Sequence, residues 1–84
     1  MPYTLIYVKS AVKDLKKLDA VSKKQIGKKI VVLSKDPLKY ARKMIDPKIG
    51  TYRWRIGNHR VIFDIVEKQI VVLKIGHRKD IYES

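Results

Sequence analysis

Arg53, Arg55 and Arg60 flank a short turn in the segment Tyr52-Arg53-Trp54-Arg55-Ile56-Gly57-Asn58-His59-Arg60-Val61-Ile62-Phe63. A two-residue turn at Gly57-Asn58 folds this segment into a β-hairpin. That register pairs Trp54 with Val61 and Tyr52 with Phe63 on one face. On the other face it sets Arg55 directly opposite Arg60, with Arg53 two residues along. Like charges placed directly opposite on a sheet are destabilising, so the pattern predicts an anion between them. Arginine keeps its charge at physiological pH and binds phosphate through two parallel N–H donors. The chemistry these residues suit is binding a phosphate and stabilising charge that develops on it.

The strand that follows extends the cluster. Val61, Phe63 and Ile65 alternate with Arg60, Ile62 and Asp64, so the apolar set faces a core. A two-residue turn at Glu67-Lys68 would bring Lys74 onto that core face, and burying an unpaired lysine is costly. A three-residue loop over Glu67 to Gln69 reverses the parity. It predicts Val71, Leu73 and Ile75 in the core, and Lys74, Gly76 and Arg78 on the basic face. Arg60 then sits opposite Gly76 with Arg78 diagonally beside it. Asp64 shares the basic face and is expected to form an ion pair with Arg53 or Lys74. His77 falls by parity on the core side at a strand end, and His59 flanks the turn as an exposed residue. Trp54 and Phe63 read as core.

The elements that position this hairpin pair lie upstream. Tyr3 to Val8 is a β-branched and aromatic run, a first strand apolar on both faces and so flanked or covered. Ser10 is a candidate helix N-cap, followed by Ala11, Leu15 and Leu18 at helical spacing with Lys13, Lys16 and Lys17 facing out. The chain breaks at Asp19-Ala20-Val21. Ser22 and Gln25 have capping-box spacing, and Ile26, Ile30 and Leu33 form the stripe of a second helix. That helix ends before Asp36-Pro37, because the residue preceding proline avoids the helical region. Pro37 opens a short helical turn through Tyr40 and Ala41, and Asp46-Pro47 and Gly50 read as loop. The predicted fold is α+β: an N-terminal strand, a helical hairpin and a three-stranded antiparallel meander, with the helices on one face of the sheet.

The chain has 84 residues and no cysteine, which bounds it to one small domain over residues 1–84 without disulfides or thiolate metal ligands. Its 20 Lys and Arg against 8 Asp and Glu give a net charge of +12, which implies a polyanionic partner. The two histidines are far apart in sequence and the acidic residues are scattered, so no metal site is read and no cofactor is expected. Met1 to Leu5 lacks the basic and apolar regions of a signal peptide, and no apolar run suffices to cross a bilayer. A cytoplasmic protein without a membrane role is expected.

The hairpin string, together with Ile75-Gly76-His77-Arg78-Lys79-Asp80-Ile81-Tyr82 after an apolar strand, closely resembles the RelE/ParE toxin superfamily, most of all its RelE branch. The order of first strand, lysine-rich helix pair and proline-containing loop is similar too, so the resemblance covers nearly the whole chain. It implies a toxin of a type II toxin–antitoxin system: a ribosome-dependent endoribonuclease that cuts mRNA in the A site. It also implies an acidic RelB-like antitoxin that wraps the toxin. Carried over by position, the family's basic pair falls on Arg53 and Arg55, and its third-strand arginine on Arg60. Its arginine after the last strand falls on Arg78 and its C-terminal tyrosine on Tyr82.

RNA is cut without a metal when its own 2′-hydroxyl attacks the neighbouring phosphate. The reaction needs the hydroxyl proton removed, the phosphorane charge stabilised and the leaving 5′-oxygen protonated. Arginine suits the second task and, with a pKa of about 12 or more, not the proton transfers. Arg60 and Arg78 are therefore assigned to the scissile phosphate. Arg55 and Arg53 are assigned to developing charge or flanking phosphates, with Lys74 beside them. Tyr82 can donate a proton, stack on a base or simply pack on the sheet. His77 suits neutral-pH transfer but reads equally as structural. Tyr40 and Lys43 are within reach from the loop, although no pattern demands their use. Two other readings stay open: a ParE-like inhibitor of DNA gyrase, and a non-catalytic nucleic-acid-binding domain.

Overall fold

The computed structural model describes residues 3–45 and 49–77. The elements run β1 (Thr4–Tyr7), α1 (Lys9–Lys16), α2 (Ala20–Leu33), β2 (Arg42–Lys43), β3 (Tyr52–Ile56), β4 (His59–Val66) and β5 (Gln69–His77). The strands form one mixed sheet in the order β1-β5-β4-β3-β2. The α+β architecture and the meander match the expectation from sequence. The structure adds two things to it: a short strand β2 on the outer edge of β3, and the position of β1, which runs parallel to β5 at the opposite edge.

One face of the sheet carries the core. Ala11 of α1 and Ile26, Ile30 and Leu33 of α2 pack with Trp54, Ile56, Val61, Phe63, Ile70, Val72 and Ile75. Leu15 and Leu18 are only partly buried against it, as are Leu5 and Tyr7 of the edge strand. The Trp54 and Phe63 ring centroids are 4.1 Å apart and Tyr52 lies 5.6 Å from Phe63, so the hairpin's aromatic residues form the centre of the core.

The helix starts differ from those expected. Ser10 lies inside α1, whose N-cap is Val8 with no side-chain cap. The Ser10 hydroxyl instead donates to the carbonyl of Leu73 at 3.2 Å, and Asp14 Oδ2 accepts from the Ile75 N–H at 3.0 Å. β1 stops pairing with β5 at Val72, so these two side chains satisfy part of the edge that β1 leaves open. The second helix is capped by Asp19, whose Oδ2 accepts from the Ser22 N–H at 3.3 Å, and not by a Ser22 capping box. Hydrogen bonding by the Ser22 side chain first, and then by its N–H, holds the Asp19 carboxyl below its usual value.

The register of β3 and β4 is the one predicted: Tyr52 opposite Phe63, Trp54 opposite Val61, Arg55 opposite Arg60. Gly57 supplies a positive φ of 58° at the turn. The β4–β5 connection differs. It is a two-residue turn at Glu67-Lys68, with Val66 opposite Gln69 and Glu67 itself at φ 57°. Parity is restored further along by a β-bulge. Phe63 pairs with Val72 and Ile62 with Lys74, leaving Leu73 as the extra residue. Ile70 and Val72 therefore enter the core before the bulge and Ile75 after it, while Lys74 and Gly76 reach the open face as expected.

Pro37 begins a turn, closed by the Lys39 N–H on the Asp36 carbonyl at 3.2 Å, that leads into β2. It does not extend to Ala41 as a helical turn. Trp54 Nε1 donates to the buried Pro37 carbonyl at 2.9 Å and so ties this turn to the sheet. Met44 N–H bonds to the Thr51 carbonyl at 2.8 Å, closing the β2–β3 connection. A Cβ on Gly50 would stand 2.5 Å from Ile62 Cγ2 and 2.9 Å from Leu73 Cδ1, so only glycine lets the backbone lie this close to the open face.

Candidate functional site

The open face is basic on four strands. Arg42 lies opposite Arg53, Arg55 opposite Arg60, Lys74 opposite Ile62 and Gly76 opposite Arg60. Two arginine pairs are thus directly opposed across neighbouring strands, where one was expected. Each such pair costs stability unless counter-charge is supplied.

Arg42, Arg53 and Arg55 line a cleft of about 190 Å³ together with Tyr40. Arg55 is exposed and Arg53 half-buried. Burial first, then the charges of Arg55 and Arg42, hold the Arg53 guanidinium below its ordinary value. Arginine titrates so far above neutrality that the cleft keeps its full positive charge. Arg42 was not recognised in the sequence. It sits on a two-residue strand with no alternation to reveal it, and only its pairing with Arg53 shows which face it joins.

Arg60 takes its predicted register position but is only 4 % exposed, and its Nη1 donates to its neighbour's carbonyl, His59 O, at 3.2 Å. It therefore backs the face more than it presents a guanidinium to solvent. Lys74 and His77 line a separate cleft of about 330 Å³ with Asp14, Lys17, Leu18, Ile75 and Gly76, at the α1 end of β5. The expected site is thus divided, with Arg53 and Arg55 in one cleft and Lys74 and His77 in the other. His77 points to the helix side, as its parity required. His59, expected to be exposed, is half-buried and meets the His77 ring edge-on at 5.7 Å between centroids. Asp64, for which an ion pair was expected, accepts the Thr51 N–H on Oδ1 at 2.6 Å, which anchors the loop across the face. Arg78 and Tyr82 lie outside the described residues. No helix among the described residues is long and apolar enough to cross a membrane.

Residues 5–82 match the family described as the ParE toxin of type II toxin–antitoxin systems. Toxin RelG of Mycobacterium tuberculosis is 33 % identical over 89 residues, covering 98 % of each chain. The toxin–antitoxin complex RelBE2 from the same organism contains a chain of 27 % identity that superposes with a TM-score of 0.83, over 93 % of this chain and 100 % of that one. The isolated RelE toxin of Escherichia coli shares the fold, with 24 % identity and a TM-score of 0.74 over 89 % and 83 % of the two chains. The chain belongs to the RelE/ParE superfamily of type II toxins.

Proposed function

We propose that this toxin is an endoribonuclease of the RelE type, cutting mRNA on the ribosome in the cytoplasm by attack of the 2′-hydroxyl on the adjacent phosphate. The observation that carries this reading is the opposed arginine pairs, Arg42 with Arg53 and Arg55 with Arg60, on a face that the helices leave open. A phosphate chain supplies counter-charge to such pairs. Arg55, the exposed member, meets the scissile phosphate and stabilises the phosphorane. Arg60 behind it adds charge, and Arg78 keeps the role at the scissile phosphate that the family resemblance implies. Arg53 and Arg42 hold a flanking phosphate. Tyr82 is assigned the proton for the leaving 5′-oxygen. The partner that restrains the toxin is an acidic antitoxin of the RelB type. The net charge of +12 and the solved RelBE2 complex of a similar chain support this.

The name of the matching family favours a second reading, ParE-like inhibition of DNA gyrase. One experiment separates the two. Purified toxin is added to ribosomes programmed with a defined mRNA, and separately to a gyrase supercoiling assay. The expected result is a ribosome-dependent cut and unimpaired gyrase. Arg55→Ala should slow the cut by about 10²-fold or more, the usual effect of removing one transition-state donor. Absence of a cut by the wild type would refute the nuclease reading, and a full-rate cut by Arg55→Ala would refute the site.

A further inference from the structure

Tyr40 has no place in the core or in the reaction outlined above. It is 65 % exposed, an unusual position for a large aromatic ring on so cationic a surface. Its surroundings make it a candidate ligand-binding residue. The ring forms one wall of the cleft whose other walls are Arg42, Arg53 and Arg55. Lys39 Nζ lies over the ring, 5.5 Å from its centroid. The turn that carries Tyr40 is also fixed. Trp54, fully buried, holds the Pro37 carbonyl, and Lys39 N–H closes on Asp36. Little conformational freedom is then left to lose when a ligand orders the ring.

We propose that Tyr40 and the arginine cleft beside it form a nucleotide subsite, in which Tyr40 stacks on an unpaired base while Arg42 and Arg53 hold the phosphate attached to it. This inference rests on the RNA-cutting reading and adds to it a residue that contacts the base. An aromatic ring beside a basic groove is the combination by which proteins hold single strands, because every base presents a π-face whatever its identity. Stacking within a duplex would hide that face, so the subsite takes single-stranded and not duplex RNA. A phosphate or polyphosphate alone would need only the arginines. An acidic protein segment would also be served by the arginines, but it offers no flat ring for Tyr40.

The test is direct binding, measured by fluorescence anisotropy, of full-length wild type, Tyr40→Ala and Tyr40→Phe. The probes are a short single-stranded 2′-O-methyl RNA that cannot be cut, an abasic strand of the same length, and polyglutamate. Tyr40→Ala is expected to bind the RNA roughly five- to a hundredfold more weakly, the range for loss of one base–aromatic stack. It should bind the abasic strand as wild type does, and Tyr40→Phe should keep wild-type affinity for both. Equal RNA affinity in Tyr40→Ala and wild type, in a protein that still cuts mRNA, would overturn the subsite alone. An equal loss on the abasic strand would overturn it in favour of a general effect on the cleft. A defect on polyglutamate but not on RNA would overturn it in favour of a protein partner. A wild type that neither binds the RNA nor cuts on the ribosome would overturn the subsite together with the nuclease reading.

Discussion

At the scale of single residues, Trp54 links the core to the basic face. Its ring packs at a tilt on Phe63 and its Nε1 donates to the Pro37 carbonyl from within the core. Trp54→Phe keeps an aromatic ring but leaves that buried acceptor without its donor, a loss of about 1–3 kcal/mol before any packing defect is added. A urea titration should show a lower midpoint at unchanged slope, and an unaltered midpoint would mean that the indole bond contributes nothing. Arg53 and Arg55 could be placed on one face from the sequence because the strand alternates around them. The burial of Arg60 could not. Its register follows from local pattern, but its exposure depends on what the rest of the chain lays over it, and charge alone predicts the opposite.

At the scale of elements, the two hairpin turns have the same shape but different residues. Gly57 and Glu67 each occupy the first central position with positive φ, 58° and 57°. Such a conformation costs an ordinary L-residue about 1–2 kcal/mol and glycine almost nothing. Glu67→Gly should therefore stabilise the protein by about 0.5–1 kcal/mol after allowing for the extra freedom of the unfolded glycine, and Gly57→Ala should destabilise it by about 1 kcal/mol. Thermal melts of the two variants should move in opposite directions, and movement in the same direction would refute the strain at Glu67. The mismatch also explains which turn could be read from the sequence. Gly57-Asn58 carries the residue its geometry needs, whereas Glu67-Lys68 does not. The parity change needed to keep Lys74 out of the core was therefore placed in a loop, when the chain places it at the Leu73 bulge. The helix stripes were readable because their spacing is regular. Their caps were less so: Ser10 and Asp19 both had cap-forming side chains, and only contacts distant in sequence show that Ser10 is used on β5.

At the scale of the whole molecule, the parallel pairing of β1 with β5 joins the first and last described strands, and strand β2 widens the basic face on the far side. Neither pairing has a local signature, since no turn connects β1 to β5 and β2 is too short to show a period. The net charge of +12 could be read at once, but the concentration of Arg42 with Arg53 and Arg55 in one cleft could not. That concentration has a measurable effect. If Arg42, Arg53 and Arg55 each neutralise one phosphate of a single strand, log K for the 2′-O-methyl RNA should fall against log salt with a slope of about −2. A slope near zero would mean that the arginine cleft holds no phosphates. The bulge at Leu73 has a further consequence for how such a chain can change. It works as a phase shift: Ile70 and Val72, at even positions, face the helix layer before it, and Ile75, at an odd position, faces that layer after it. Replacing Leu73 alters one contact. Deleting it would leave Val72 opposite Phe63 and Lys74 opposite Ile62 as direct neighbours, so plain alternation would still carry Lys74 outward and Ile75 inward with both turns intact. The bulge thus absorbs one surplus residue, and a strand one residue shorter at that point would present the same two faces.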